Sequence, residues 1–213
     1  MKILVTGFEP FGGEEVNAAW EAVRRLRAPA GAELMILQLP TVFGWSGDLL
    51  CRALAVSRPD LVLCVGQAAG RAAVTPERIA VNLMDASLPD NADYQPEDQP
   101  VVPGGPGGYL ARLPVKELAT ALSAAGVPAQ VSNSAGFFVC NSLFYRLMHE
   151  MEARYPAMCG GFVHIPCLPQ QAAARPEKAL PALPLEQSVL ALQTILEYMT
   201  QVLQKLEKAV CKP

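Results

Sequence analysis

The sequence is poor in charge, nearly devoid of histidine and free of long apolar runs, and each scarcity excludes something. Only 17% of the residues are charged, 20 acidic against 17 basic, so neither a nucleic-acid-binding face nor a disordered chain is expected. No stretch reaches the roughly 18 apolar residues of a membrane span. The opening Met1-Lys2-Ile3-Leu4-Val5-Thr6-Gly7 is too short and too soon broken for a signal peptide. These features predict a soluble, unexported protein with no membrane partner. With only His149 and His164 and no CxxC pair, a structural zinc site is not expected. The six cysteines, Cys51, Cys64, Cys140, Cys159, Cys167 and Cys211, read as thiols, because 213 residues can bury a core without cross-links.

What is present is apolar: 51% of the residues are hydrophobic, enough for one compact domain spanning residues 1–213. Short buried-type runs at Ile3–Val5, Leu34–Leu39, Leu61–Gly66, Ala129–Ser132 and Gly161–Ile165 read as strands, and the alternating Arg78–Met84 as one more. Helical spacing marks about Asn17–Leu26, Trp45–Val56, Val115–Ala124, Cys140–Arg154 and an amphipathic Leu185–Lys208. Alternating strands and helices predict an α/β/α sandwich on a mostly parallel twisted sheet. Two segments, 91–108 with four prolines and four glycines, and 168–184, read as long loops inside the domain. Lys205, Lys208 and Lys212 suit the negative end of the closing helix dipole rather than a binding patch.

In open α/β folds the reacting groups gather at the carboxyl ends of strands and the amino ends of the helices that follow. Cys140 and His164 both fall there. The run Ser132-Asn133-Ser134-Ala135-Gly136-Phe137-Phe138-Val139-Cys140-Asn141 leads from a strand end through a glycine turn to a helix start. Unpaired N–H groups at that helix start favour a thiolate and could serve an oxyanion. His164 ends the next strand before Pro166, and right-handed crossover brings it toward Cys140. A cysteine–histidine pair needs a third group to orient the imidazole, and Glu77 and Asp85 are both placed for it. The competing reading is that both are ordinary core residues, as Cys64 in mid-strand, Cys51 in a helix, Cys159 and Cys211 appear by position.

Several motifs in one order resemble the pyroglutamyl peptidase I family, the cysteine-type pyrrolidone-carboxylate peptidases. They are Thr6-Gly7-Phe8-Glu9-Pro10-Phe11-Gly12-Gly13 with Asn17 and Trp20, then Leu39-Pro40-Thr41-Val42-Phe43 and Val65-Gly66-Gln67-Ala68-Ala69-Gly70-Arg71. Thr75-Pro76-Glu77-Arg78-Ile79-Ala80-Val81-Asn82, Pro89-Asp90-Asn91 and Gln95-Pro96 follow. The Ser132–Gly136 run with Cys140-Asn141, and Gly160-Gly161-Phe162-Val163-His164-Ile165-Pro166, complete the set. The resemblance implies a single-domain cytosolic enzyme, commonly tetrameric, that removes N-terminal 5-oxoproline from peptides without metal or cofactor. Carried over by motif, Cys140 is the nucleophile, His164 the general base and acid, and Glu77 rather than Asp85 the orienting carboxylate. Phe8, Phe11, Asn17 and Gln67 fall at lactam-holding positions, with Thr41, Phe138 and Val139 lining them. A lactam carries no charge, one N–H and one C=O, so aromatic walls and neutral hydrogen-bonding groups suit it. Asn17 equally fits a helix N-cap, and the phenylalanines a core.

The chain departs from the family pattern at Ser87, where Asp-Ala-Arg is usual, at Cys167 and Gln170, and at Ala69 in place of glycine. Two rival functions follow from the sequence. A glycine-rich turn after the first strand could bind phosphate or a nucleotide, but Gly12-Gly13 lacks the GxGxxG spacing and a Walker lysine. A catalytically silent paralogue is hinted at by Ser87 alone.

Overall fold

The computed structural model describes residues 1–210; Cys211 and Lys212 lie outside the described residues. Its centre is a five-stranded sheet. β1 (Lys2–Phe8), β2 (Glu33–Leu39) and β3 (Leu61–Gln67) come from the first third of the chain, with β4 (Thr75–Pro76) and β7 (Cys159–Ile165) beyond them. The order is β2-β1-β3-β7-β4, every pairing parallel except β4 against β7. β5 (Ile79–Val81) and β6 (Gly108–Leu110) form a separate antiparallel pair.

Strand parity sorts the core into two layers, since successive side chains point to opposite faces. Ile3, Val5, Leu61, Leu63, Val65, Val163 and Ile165 face α1 (Ala18–Val23), α3 (Val115–Ala124) and α6 (Leu185–Val210). Leu4, Val62, Cys64 and Phe162 face the opposite layer, α2 (Trp45–Ser57) and α4 (Val139–Arg154). The middle strand β3 is buried at every position, as expected of a parallel strand covered on both sides.

Three segments differ from the sequence-based expectation. Ala129–Ser132 is not a strand. It runs beside β4 through the isolated pairs Val74–Ala129 and Glu77–Ser132, because β4 is only two residues long and offers no ladder to join. Arg78–Met84 contributes only the three-residue β5, outside the main sheet. The 168–184 segment is not all loop, since it holds α5 (Pro169–Ala173) and a 3-10 turn at Pro176–Lys178.

The 91–108 segment lacks regular structure until β6, yet side chains pin it. Asn82 donates to the carbonyls of Val102 and Gly105 and accepts from Val102 N, while Tyr145 donates to Pro106 O at 2.7 Å. Asp90 accepts the backbone N–H groups of Phe43, Ala92 and Tyr94. No helix among the described residues is long and apolar enough to cross a membrane.

Candidate active site

Parity and register together build the centre of the site. Gly66 on β3 pairs with His164 on β7, and both continue the even-numbered series that opens toward α4. Cys140 is the second residue of α4. A Cβ at Gly66 would lie 2.9 Å from Cys140 Sγ and 2.9 Å from the Phe162 ring, so only glycine lets the sulfur descend onto the strand end. The Phe162 ring in turn leans on the His164 ring, with centroids 4.8 Å apart.

The third group comes from the chain just after β4. Glu77 N donates to Phe162 O at 2.9 Å, which anchors the carboxylate beside β7. His164 Nδ1 then lies 2.8 Å from Glu77 Oε1. His164 is 3% exposed and Glu77 not at all, so this hydrogen bond is shielded from water. Asp85, the other candidate, sits in an exposed loop, its N–H bonded to Phe137 O.

Burial sets the resting charge of each group. It lowers the pKa of His164 against the opposing pull of the Glu77 hydrogen bond and charge. Burial raises the Glu77 carboxyl, but the His164 hydrogen bond and charge outweigh it and, with Arg71, hold it below the usual range. With Glu77 ionised as the acceptor, the Nδ1 proton is fixed and Nε2 is left as the basic nitrogen. The Cys140 thiol is pushed up to about 12, first by burial and then by the negative charge of Glu77; Arg71 and the residue's own N–H pull the other way. The thiolate expected from the helix start is therefore not the resting form, because desolvation outweighs the helix terminus.

The residues matched to substrate recognition divide by exposure. Phe11 stacks obliquely on Phe138 at 6.0 Å, and Phe138 meets Phe43 edge-on at 5.3 Å, giving an aromatic wall next to the start of α4. Phe8 and Val139 are buried in the core, Phe8 against Phe162 at 6.4 Å. Thr41 donates its hydroxyl to Glu9 O at 3.0 Å, and Asn17 Nδ2 donates to the same carbonyl at 3.1 Å. Asn17 Oδ1 accepts from Ala19 N, so the residue is the N-cap of α1. Gln67 Oε1 accepts from Ala18 N at 2.7 Å and from Gln171 Nε2 at 3.2 Å. That fixes its amide with Nε2 turned away from both.

Several supporting residues carried no role in the sequence. Asn141 accepts from Val81 N and donates to the carbonyls of Val81 and Leu83, tying β5 to the start of α4. Its place directly after Cys140 was the only sequence signal. Gln171 takes Leu168 N on Oε1 and reaches Val16 O and Gln67. Glu9 accepts from Thr41 N and Asn91 Nδ2. Among the described residues no group of three or more His, Cys, Asp or Glu side chains is arranged to hold a metal ion.

The family model described as pyroglutamyl peptidase matches residues 1–202 of the chain. Pyrrolidone-carboxylate peptidase of Levilactobacillus brevis is 50% identical over 190 residues, 89% of this chain and 92% of that one. The enzyme of the same name from Thermococcus onnurineus is 46% identical over 198 residues, 92% and 98% of the two chains. Among solved structures, Bacillus amyloliquefaciens pyroglutamyl peptidase I superimposes with a TM-score of 0.88 at 45% identity, covering 92% of this chain and 95% of that one.

Proposed function

The chain belongs to the pyroglutamyl peptidase family, the cysteine peptidases that remove N-terminal pyroglutamyl residues, and from that premise we propose the residues and steps that carry its reaction. Cys140 is the nucleophile, His164 the base and acid, and Glu77 the group that holds His164. The observation that carries this reading is the buried 2.8 Å bond between His164 Nδ1 and Glu77 Oε1, beside the glycine on which the Cys140 sulfur rests.

In the resting site thiol and imidazole are both neutral. His164 Nε2 takes the thiol proton as the sulfur adds to the carbonyl that joins pyroglutamate to the next residue. Oxyanion charge develops near the first N–H groups of α4, which lack intrahelical acceptors. The imidazolium then protonates the leaving amine as the C–N bond breaks, and the peptide departs from a pyroglutamyl thioester on Cys140. Water, deprotonated by His164, adds to the thioester. Its collapse returns the proton to sulfur and frees pyroglutamate. No step requires a metal or an organic cofactor.

Phe11 and Phe138 face the flat lactam, and Gln67 Nε2 supplies a neutral donor. Phe8 and Val139 back this wall from the core, while Asn17 and Thr41 hold its loops through Glu9. Leaving such polar groups unpaired penalises a prolyl ring that lacks the carbonyl. Ser87, in the exposed loop beside Phe137 and Phe138, leaves Cys140, His164 and Glu77 intact, which favours an active enzyme over a silent paralogue. The family likeness further supports a single cytoplasmic catalytic domain, with residues 91–108 as an internal loop, assembled as a homotetramer. Sedimentation measures that assembly.

The mechanism is tested by rapid quench of the reduced enzyme with a pyroglutamyl ester, followed by peptide mapping. A pyroglutamyl adduct on the Cys140 peptide is expected. Turnover with no adduct on any cysteine, or with one on Cys64 or Cys167, contradicts the assignment.

A further inference from the structure

We infer that Arg71 is a positioning residue of the hydrolytic site: its guanidinium ties Glu77, the edge strand β4 and the turn before Cys140 into one unit and balances the charge between them. This rests on the roles given above to Cys140, His164 and Glu77. Arg71 follows β3 in a turn made by Gly70 at φ +92° and closed by a bond from Arg71 N to Ala68 O. From there Nη1 donates to Glu77 Oε1 at 2.5 Å and to Thr75 Oγ1, and Nη2 donates to Ser134 O at 2.9 Å. Thr75 pairs with His164 across β4 and β7. Ser134 lies in the turn that leads into α4. One side chain therefore touches the acceptor of His164, the strand beside His164 and the run that delivers Cys140.

The charge is as specific as the geometry. Glu77 is wholly buried, and Arg71, with 24% of its side chain exposed, is the cation against it. A bare carboxylate at this position opposes formation of the Cys140 thiolate. The groups bearing on Cys140 are Glu77, Arg71 and Cys64, and those bearing on His164 are Glu77 and Arg71. Arg71 lowers the pKa of both reacting groups, so its removal raises both. Lysine carries the charge but not the planar fork that reaches Glu77 and the Ser134 carbonyl together.

The test compares wild-type protein with Arg71→Met and Arg71→Lys. It follows kcat and KM on a pyroglutamyl amide across pH, and the pH dependence of Cys140 alkylation by iodoacetamide, with circular dichroism to verify folding. For Arg71→Met we expect kcat to fall about a hundredfold, the cost of a displaced catalytic group, with KM changed less. The acid limb of kcat/KM and the alkylation curve should both move to higher pH. Arg71→Lys should restore the position of the limb and only part of kcat. A folded Arg71→Met protein with a wild-type limb overturns the inference, whatever its rate. If the Met variant does not fold, Arg71→Lys decides alone: a wild-type kcat overturns the inference, and a lowered kcat with the limb in place upholds it. Full activity in Cys140→Ala or Glu77→Gln would instead defeat the assignment beneath it. Loss in those two beside wild-type behaviour in Arg71→Met defeats only the role of Arg71.

Discussion

His164 and Glu77 meet through Nδ1 and Oε1 at 2.8 Å, in a place water does not reach. Removing the carboxylate charge should free the imidazole to take the wrong tautomer. Glu77→Gln is expected to lower kcat by roughly a hundred- to ten-thousandfold. The Glu77 bond and charge hold the His164 pKa up against burial. The acid limb of the residual kcat/KM should therefore move to lower pH. A pH–rate profile records this, and a limb moving upward contradicts it.

The resting state of Cys140 gives a second expectation. A thiol pushed up to about 12 is mostly protonated at neutral pH, so its alkylation should accelerate through the alkaline range with no plateau near pH 7. His164→Gln should leave alkylation at high pH nearly unchanged while reducing peptide turnover by orders of magnitude, because hydroxide can replace the base only in the first process. Alkylation already independent of pH at 7 would indicate a preformed thiolate.

Much of this site was legible in the sequence, and what was not has identifiable causes. Cys140 and His164 follow from the rule that strand ends and helix starts carry chemistry, and strand parity then turns His164 and Gly66 toward the same helix. Glu77 did not follow from the residues alone. It directly follows an antiparallel edge strand of two residues, Thr75–Pro76, too short to register as a period and ending in proline. The family likeness separated it from Asp85. Arg71 was visible only as a letter within a motif, since its partners lie 4, 6 and 63 residues away. The helix start under Cys140 is legible in the sequence, but the desolvation that pushes its thiol up is not.

Asn17 illustrates how capping and recognition share a residue. Its Oδ1 caps α1 through Ala19 N, and its Nδ2 holds Glu9 O. Asn17→Ala should destabilise the protein by about 1–2 kcal/mol, read as a lower urea midpoint, and raise KM by loosening the start of α1, where Ala18 N holds Gln67 Oε1. Asn17→Ser, which keeps a cap, should recover most of the stability. Equal losses in both variants would assign the effect to the Glu9 bond.

Stability should also carry the mark of the buried imidazole. The folded-state pKa of His164 is lowered from 6.5, so the unfolded chain binds the extra proton first and stability falls as pH drops below about 6.5. Glu77, lowered from 4.5, adds its own loss only at more acid pH, as pH falls through its folded-state value. Between pH 6.5 and 5, urea titrations of His164→Gln should show a shallower fall than wild type. Parallel curves would mean that His164 titrates alike in both states.

The most direct measurement is hydrolysis of a fluorogenic pyroglutamyl amide by the reduced protein, beside Cys140→Ala and with a prolyl amide as control. The account predicts turnover of the pyroglutamyl substrate alone and none by the alanine variant. Undiminished turnover by a folded Cys140→Ala protein would contradict it, as would equal cleavage of the prolyl amide.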